Sequence, residues 1–220
     1  MPRTLAPPQQ RIAKILQLLE RTYPTATCAL RFSNPLELLV ATILSAQCTD
    51  VLVNQVTVEL FKKYHTARDY ATANLAVLER DMAKVNFYRH KAKHIKLACQ
   101  RLVEQFGGQV PNRMEDLLTL PGVARKTANV VLGNAFGIQA GVIVDAHVMR
   151  LSQRIGLTRQ TDRDKIEQDL MGLVPRTTWT RFSHQMIDHG RQICKAKEPR
   201  CTACPIGKSL CPSYTLSTPT

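Results

Sequence analysis

Apolar residues recur along this chain at three- and four-residue intervals over almost its whole length, the spacing of helices that each bury one face. Residues 9–22 place Ile12, Ile15, Leu16 and Leu19 on one side. Asn34-Pro35-Leu36-Glu37 has the chemistry of a helix start: Asn to cap, Pro in the first turn, Glu to close a capping box. That helix is expected to run through Leu44 to about Gln47, and Thr49-Asp50 to open the next, with Leu52, Val56 and Leu60 inward. Asn74 predicts a cap for a short helix ending near Val85, and Asn86, tolerant of left-handed backbone, a turn before Tyr88. From Tyr88 to Phe106 a long basic helix follows, stopped by Gly107-Gly108; Pro111-Asn112 start a short one ending at Leu120. After the helix that carries Lys126, whose end Gly133 and Gly137 flank, further helices are expected at 146–155, 162–171 (opened by Thr161 and Asp162) and 177–190. Val142-Ile143-Val144 alone resembles a strand and is too short for a sheet. The chain therefore reads as all-α.

One segment breaks the usual electrostatics of a helix. Leu120-Pro121-Gly122-Val123-Ala124 is a glycine-bearing turn that leads directly into Arg125-Lys126. Two adjacent cations oppose the positive end of the macrodipole. Either they face a large anion, or one works uncharged. Exposed amides at Gly122 and Ala124, with Arg125, suit a phosphodiester gripped without reading bases. Lys126 suits a neutral amine, hence a nucleophile. Asp145, after the apolar run, reads as a cap for the helix beginning at Ala146 and also as a carboxylate able to stabilise charge or move a proton opposite Lys126.

Charge strengthens the anion reading. Lys plus Arg number 30 against 17 acids, a formal net charge of +13, so a polyanion is the expected partner. Arg80, Lys84, Arg89, Lys91, Lys93, Lys96 and Arg101 have only Asp81 opposing them within that run. The first ten residues hold no apolar run for a signal peptide, and no stretch reaches a membrane span, so no membrane role and a cytoplasmic, nucleoid-associated location are expected. In that reducing compartment the seven cysteines are expected as thiols or metal ligands. Cys194-x6-Cys201-x2-Cys204-x6-Cys211 is a metal-binding pattern. Zinc usually takes two close pairs; long outer arms around one close pair favour an iron–sulfur cluster, with zinc as the alternative. Lys195, Lys197 and Arg200 make the same loop a candidate DNA contact. Cys28, Cys48 and Cys99, on apolar stretches, read as core residues.

Taken together, the segments Leu44–Asp50 (L-S-A-Q-C-T-D), Phe87–Ala92 (F-Y-R-H-K-A), Leu120–Leu132, Val144–His147 (V-D-A-H) and the terminal cysteines resemble endonuclease III, a family of iron–sulfur DNA glycosylases in the helix-hairpin-helix superfamily. The resemblance spans about residues 12–212. It implies two helical domains with a DNA-binding cleft between them: a six-helix core over 29–138, and a discontinuous domain of 1–28 with 139–220 that carries a 4Fe-4S cluster on the loop 194–211. It implies a monomer acting on double-stranded DNA with damaged bases or abasic sites. The base is flipped out, Lys126 attacks C1′ with Asp145 as its partner, and the resulting Schiff base undergoes β-elimination on the 3′ side. Oxidised pyrimidines are the implied substrates. Gln47 and Phe87 would fill the gap left by the base, beside Arg89 and Lys91 as further DNA contacts.

The chain departs from the family pattern in places. Ala124 stands where the family has glycine, which predicts strain if that residue needs a positive φ. Ala146 replaces a threonine beside Asp145, Phe87 a leucine, and the last cysteine arm has six residues where five are usual. Two other readings share some features. An adenine-mismatch glycosylase would lack the lysine, would carry a glutamate where this chain has Ala41, and would add a recognition domain beyond position 220. A non-catalytic helix-hairpin-helix protein would keep the turn and the basic face alone.

Overall fold

The structure, a computed structural model, describes residues 5–215; the first four residues of the N-terminal stretch lie outside them. Every regular element among the described residues is helical. They divide into two compact units, one of Cys28–Ala140, the other of the residues up to Thr27 together with those from Gly141 onward.

The Cys28–Ala140 unit contains α2 (Pro35–Leu44), α3 (Asp50–Lys63), α4 (Ala67–Thr72), α5 (Leu75–Asp81), α6 (Tyr88–Gln105), α7 (Met114–Leu118) and α8 (Arg125–Ala135). Helix α6 packs against α2, α4 and α5, while α8 packs against α2 and α7. Leu38, Leu39 and Leu44 of α2 and Ile95 and Leu102 of α6 are fully buried. Asn34 caps α2 by accepting from Glu37 N at 3.0 Å, whereas the Glu37 carboxylate turns back to Ser33 N at 2.6 Å. Helix α2 stops at Leu44, short of Gln47, because the chain there bends into a left-handed residue at Gln47 (φ 55°). In α3 Val56 and Leu60 are buried as expected, together with Val53 and Thr57, whereas Leu52 is only half-buried. Helix α4 has a full Thr66–Asp69 capping box, yet its six residues are too few to show a clear apolar period.

The other unit joins α1 (Pro8–Thr22) to α9 (Ala146–Ile155), α10 (Arg163–Leu173), α11 (Trp179–Gln192) and α12 (Gly207–Leu210). Ile15 and Leu19 of α1, Val148 and Leu151 of α9, Leu170 of α10 and Met186 of α11 share one core. Val142, Ile143 and Val144 are all buried without forming a strand, Val142 and Val144 within that core. Ile143 N donates instead to the Ser183 hydroxyl at 2.9 Å. No helix among the described residues is long and apolar enough to cross a membrane.

The basic helix α6 is more inward-looking than its charge pattern predicts. Lys91 is 5% exposed, and its Nζ donates to the carbonyls of Leu44 and Ala46, both at 2.7 Å. Lys96 Nζ donates to Ala71 and Ala73 at 2.7 and 2.6 Å, and Arg101 donates to Thr119 O. These carbonyls lie at the C-terminal ends of α2, α4 and α7, where backbone acceptors lack partners and the dipole is negative. Three cations read as an outer face are thus staples within the unit. Arg80, Lys84, Arg89 and Lys93 stay exposed. Lys91 as a DNA contact is corrected: its ammonium is enclosed by its own unit.

Candidate active site

Leu120-Pro121-Gly122-Val123 is a tight turn in which Val123 N donates to Leu120 O at 3.1 Å and Gly122 takes φ +80°. Proline then glycine at the two central positions is the chemistry of a type II turn. Leu120 and Val123 are buried and anchor it. A Cβ on Gly122 would lie 2.9 Å from His94 Cβ on α6, so both conformation and space demand glycine. Ala124 is different. It is the N-cap of α8 with φ −94° and ψ 170°, ordinary extended backbone, so the strain anticipated for this alanine is absent. A methyl group cannot cap, so Ala124 itself offers no side-chain acceptor to the start of α8. Arg125 and Lys126 occupy its first two positions, both half-buried.

Gln47 and Phe87 lie at bends of the same unit. Both are exposed, and both hold left-handed backbone, with φ 55° and 56°. Asn86, expected to take that conformation, does not; it passes to Phe87, the N-cap of α6. Arg89, the second residue of α6, lies over the Tyr88 ring at 4.8 Å and 3.9 Å from Glu79. Cys48 is half-buried and accepts from Asn86 N at 3.3 Å, so of the three cysteines read as core only Cys99 is buried. Burial pushes the Cys99 thiol up to about 12.

In the other unit Asp145 is the cap of α9, its Oδ1 accepting from Val148 N at 2.8 Å. Two arginines of α9 hold the cysteine loop. Arg150 Nη2 donates to Gly190 O at 3.2 Å and Cys194 O at 2.9 Å. Arg154 donates to Lys195 O at 2.6 Å, Ala196 O at 2.9 Å and Cys194 Sγ at 3.5 Å. Arg11, on the otherwise apolar face of α1, is 5% exposed and binds Ile155 O at 2.9 Å and Gly156 O at 3.0 Å, together with Leu210 O beside Cys211. A lone arginine in a helix gave no signal of this in the sequence. Lys195, Lys197 and Arg200 are exposed, although Arg200 also donates to Gln192 O at 2.6 Å.

Cys194, Cys201, Cys204 and Cys211 all line one cavity of about 180 Å³. Among the described residues no three His, Cys, Asp or Glu side chains converge closely enough to hold a single metal ion. Four sulfurs spread round a cavity of that size suit a polynuclear cluster better than one zinc with its short bonds. Burial raises Cys204 and pushes Cys211 up to about 11, opposed by hydrogen bonds from the backbone of Gly207 and Ile206 to Cys204 and of Ser213 to Cys211. Donors aimed at sulfur favour thiolate ligands. His189, buried and pulled down to about 4 by desolvation, lies 3.5 Å from Cys204 Sγ and 3.0 Å from the Tyr23 hydroxyl.

Residues 40–176 match the model of the HhH-GPD superfamily of base excision DNA repair proteins. The chain belongs to that superfamily. Within it, the chain is 54% identical to endonuclease III of Synechocystis sp. over 211 residues, 96% of each protein. It is 47% identical to endonuclease III of Bacillus subtilis over 190 residues, 86% of each. It also matches a solved structure of a trapped endonuclease III–DNA covalent intermediate, with a TM-score of 0.90, 43% identity and coverage of 96% and 98% of the two chains. These identities place it in the endonuclease III family.

Proposed function

We infer that this protein is a bifunctional DNA glycosylase and AP lyase of base excision repair, with Lys126 as its nucleophile. One observation carries the assignment of Lys126. Its half-buried side chain begins α8 directly behind a left-handed glycine turn, where helix amides favour an anion and the dipole opposes a second positive charge. A similar protein, 43% identical, has been trapped as a covalent intermediate with DNA. An amine nucleophile provides such a bond.

In this reading the Gly122 turn, Ala124 and Arg125 hold the phosphodiester. The Lys126 amine attacks C1′ of the flipped nucleotide, and the C1′–N bond breaks with its electron pair leaving on the base. Loss of the ring oxygen bond gives the iminium, and removal of a C2′ proton then expels the 3′ phosphate. Asp145, whose position the α9 cap sets, stabilises the developing cation or moves the proton. Gln47 and Phe87 fill the space the base vacates. Arg89, Lys195, Lys197 and Arg200 add phosphate contacts. Oxidised pyrimidines are the proposed substrates, in double-stranded DNA, and the protein acts as a monomer in the bacterial cytoplasm. A reducing compartment suits a chain of seven cysteines, four of them proposed cluster ligands.

Cys194, Cys201, Cys204 and Cys211 are the proposed ligands of a 4Fe-4S cluster, whose chemistry here is to cross-link a cationic loop that has little core of its own. The purified protein should be brown and contain about four irons per chain; a colourless protein loaded with one zinc removes this assignment.

Borohydride reduction during turnover tests the nucleophile. The wild-type chain should become covalently attached to lesion DNA, and Lys126→Ala should release no base and form no adduct while still binding DNA. Asp145→Asn, which retains a capping side chain, should fold normally and turn over more slowly by about two orders of magnitude. Base release by Lys126→Ala overturns the assignment and leaves a binding module or a water-based glycosylase.

A further inference from the structure

Gln47 and Phe87 lie far apart in sequence and share an unusual backbone. Each is a non-glycine residue at positive φ, and among the described residues only Glu198 is a third. Such conformations are uncommon for residues with a Cβ and persist where surrounding contacts impose them. Here those contacts form one connected set. Asn86 Nδ2 donates to Gln47 O at 2.9 Å, and Asn86 N donates to Cys48 Sγ at 3.3 Å. Lys91 Nζ, buried beneath, donates to Leu44 O and Ala46 O. The residue preceding one left-handed position therefore binds the carbonyl of the other. At the tip Phe87 is 60% exposed, an aromatic ring held out of the core.

We propose that Asn86 is a positioning residue that joins Gln47 and Phe87 into one preformed, two-pronged element that enters the duplex as a unit. The proposal rests on the reading that both side chains occupy the space left by the flipped base. The amide side chain suits the task. Its carbonyl partner is the backbone of a residue bent into αL, so the bond fixes the direction of that bend rather than its side chain. A loop ordered in advance loses less freedom when it meets DNA than one ordered on contact.

A double-mutant cycle on the cluster-loaded protein tests the coupling. Single-turnover base release is measured on duplex containing thymine glycol, with 2-aminopurine beside the lesion to report unstacking. The variants are Gln47→Ala, Phe87→Ala and both together, each with Asn86 intact and with Asn86→Ala. Asn86→Ala should slow unstacking and base release about tenfold, the worth of one well-made hydrogen bond, with the melting temperature and affinity for undamaged duplex held. With Asn86 intact, the double variant should lose far less than the product of the two single losses. With Asn86→Ala, the losses should multiply. Wild-type unstacking in Asn86→Ala, or multiplying losses in both backgrounds, overturns the coupling and leaves insertion standing. Wild-type unstacking in both Gln47→Ala and Phe87→Ala overturns insertion itself. Should Asn86→Ala not fold, Asn86→Leu, of similar size and unable to donate, gives the same readings.

Discussion

Gly122 and Ala124 are two residues apart in one turn and obey different rules. Gly122 needs its lack of a side chain twice over, once for φ +80° and once because His94 Cβ would be 2.9 Å from a new methyl. Gly122→Ala should therefore cost about 1–3 kcal/mol of stability and weaken DNA binding, read as a lower melting temperature and a higher Kd. Ala124, at φ −94°, carries no such demand, and its difference from the family glycine costs the backbone nothing. The motif letters predicted strain at the wrong residue, since a dihedral angle is not encoded by a residue's place in a pattern. Asp145 is observed as a cap, and its proposed catalytic role is compatible with that. As the cap of α9 its position is set, and that is what a catalytic carboxylate requires.

Helix α6 shows how an element's charge can mislead about its surroundings. Its cations looked like one outward stripe, yet Lys91, Lys96 and Arg101 end on carbonyls at the C-termini of three other helices. Desolvation lowers the pKa of Lys91, partly offset by Cys48, and its two carbonyl acceptors hold the ammonium in place. Lys91→Met keeps much of the stem and removes the donor, leaving two carbonyls unpaired. It should destabilise the protein by about 2 kcal/mol, a fall in melting temperature of roughly 4–8 °C. A purely surface lysine would change it by much less. On α9 the same logic runs outward from the core: one helix carries Asp145 at its start and, through Arg150 and Arg154, ties down the cysteine loop.

Across the whole molecule, the net charge of +13 exceeds what the internal staples use. Exposed cations remain on both units, Arg80, Lys84, Arg89 and Lys93 on one, Lys195, Lys197 and Arg200 on the other. Binding to duplex DNA should thus weaken steeply with salt, log Kd rising against log salt concentration with a slope of about 0.9 per phosphate neutralised. A fluorescence titration between about 50 and 200 mM salt measures it. Lys91→Met should leave that slope unchanged, whereas Arg89→Ala should reduce it by about one, which separates an internal cation from an external one.

The sequence alone determined the elements with caps and long apolar periods: α2, α3 and α9 begin where Asn34, Thr49 and Asp145 predict, and α1 and α10 begin within one residue of the starts expected from apolar spacing. It also determined the chemistry on offer, because a lysine behind a glycine turn and four spaced cysteines are local facts. Local rules break down where the answer depends on a distant partner. The end of α2, the left-handed turn at Phe87 in place of Asn86, the inward lysines and the buried Arg11 are each set by residues tens of positions away. Tertiary structure decided those because an unpaired carbonyl or a strained dihedral is settled by whichever donor the fold brings to it, and no periodicity along the chain records that donor's identity.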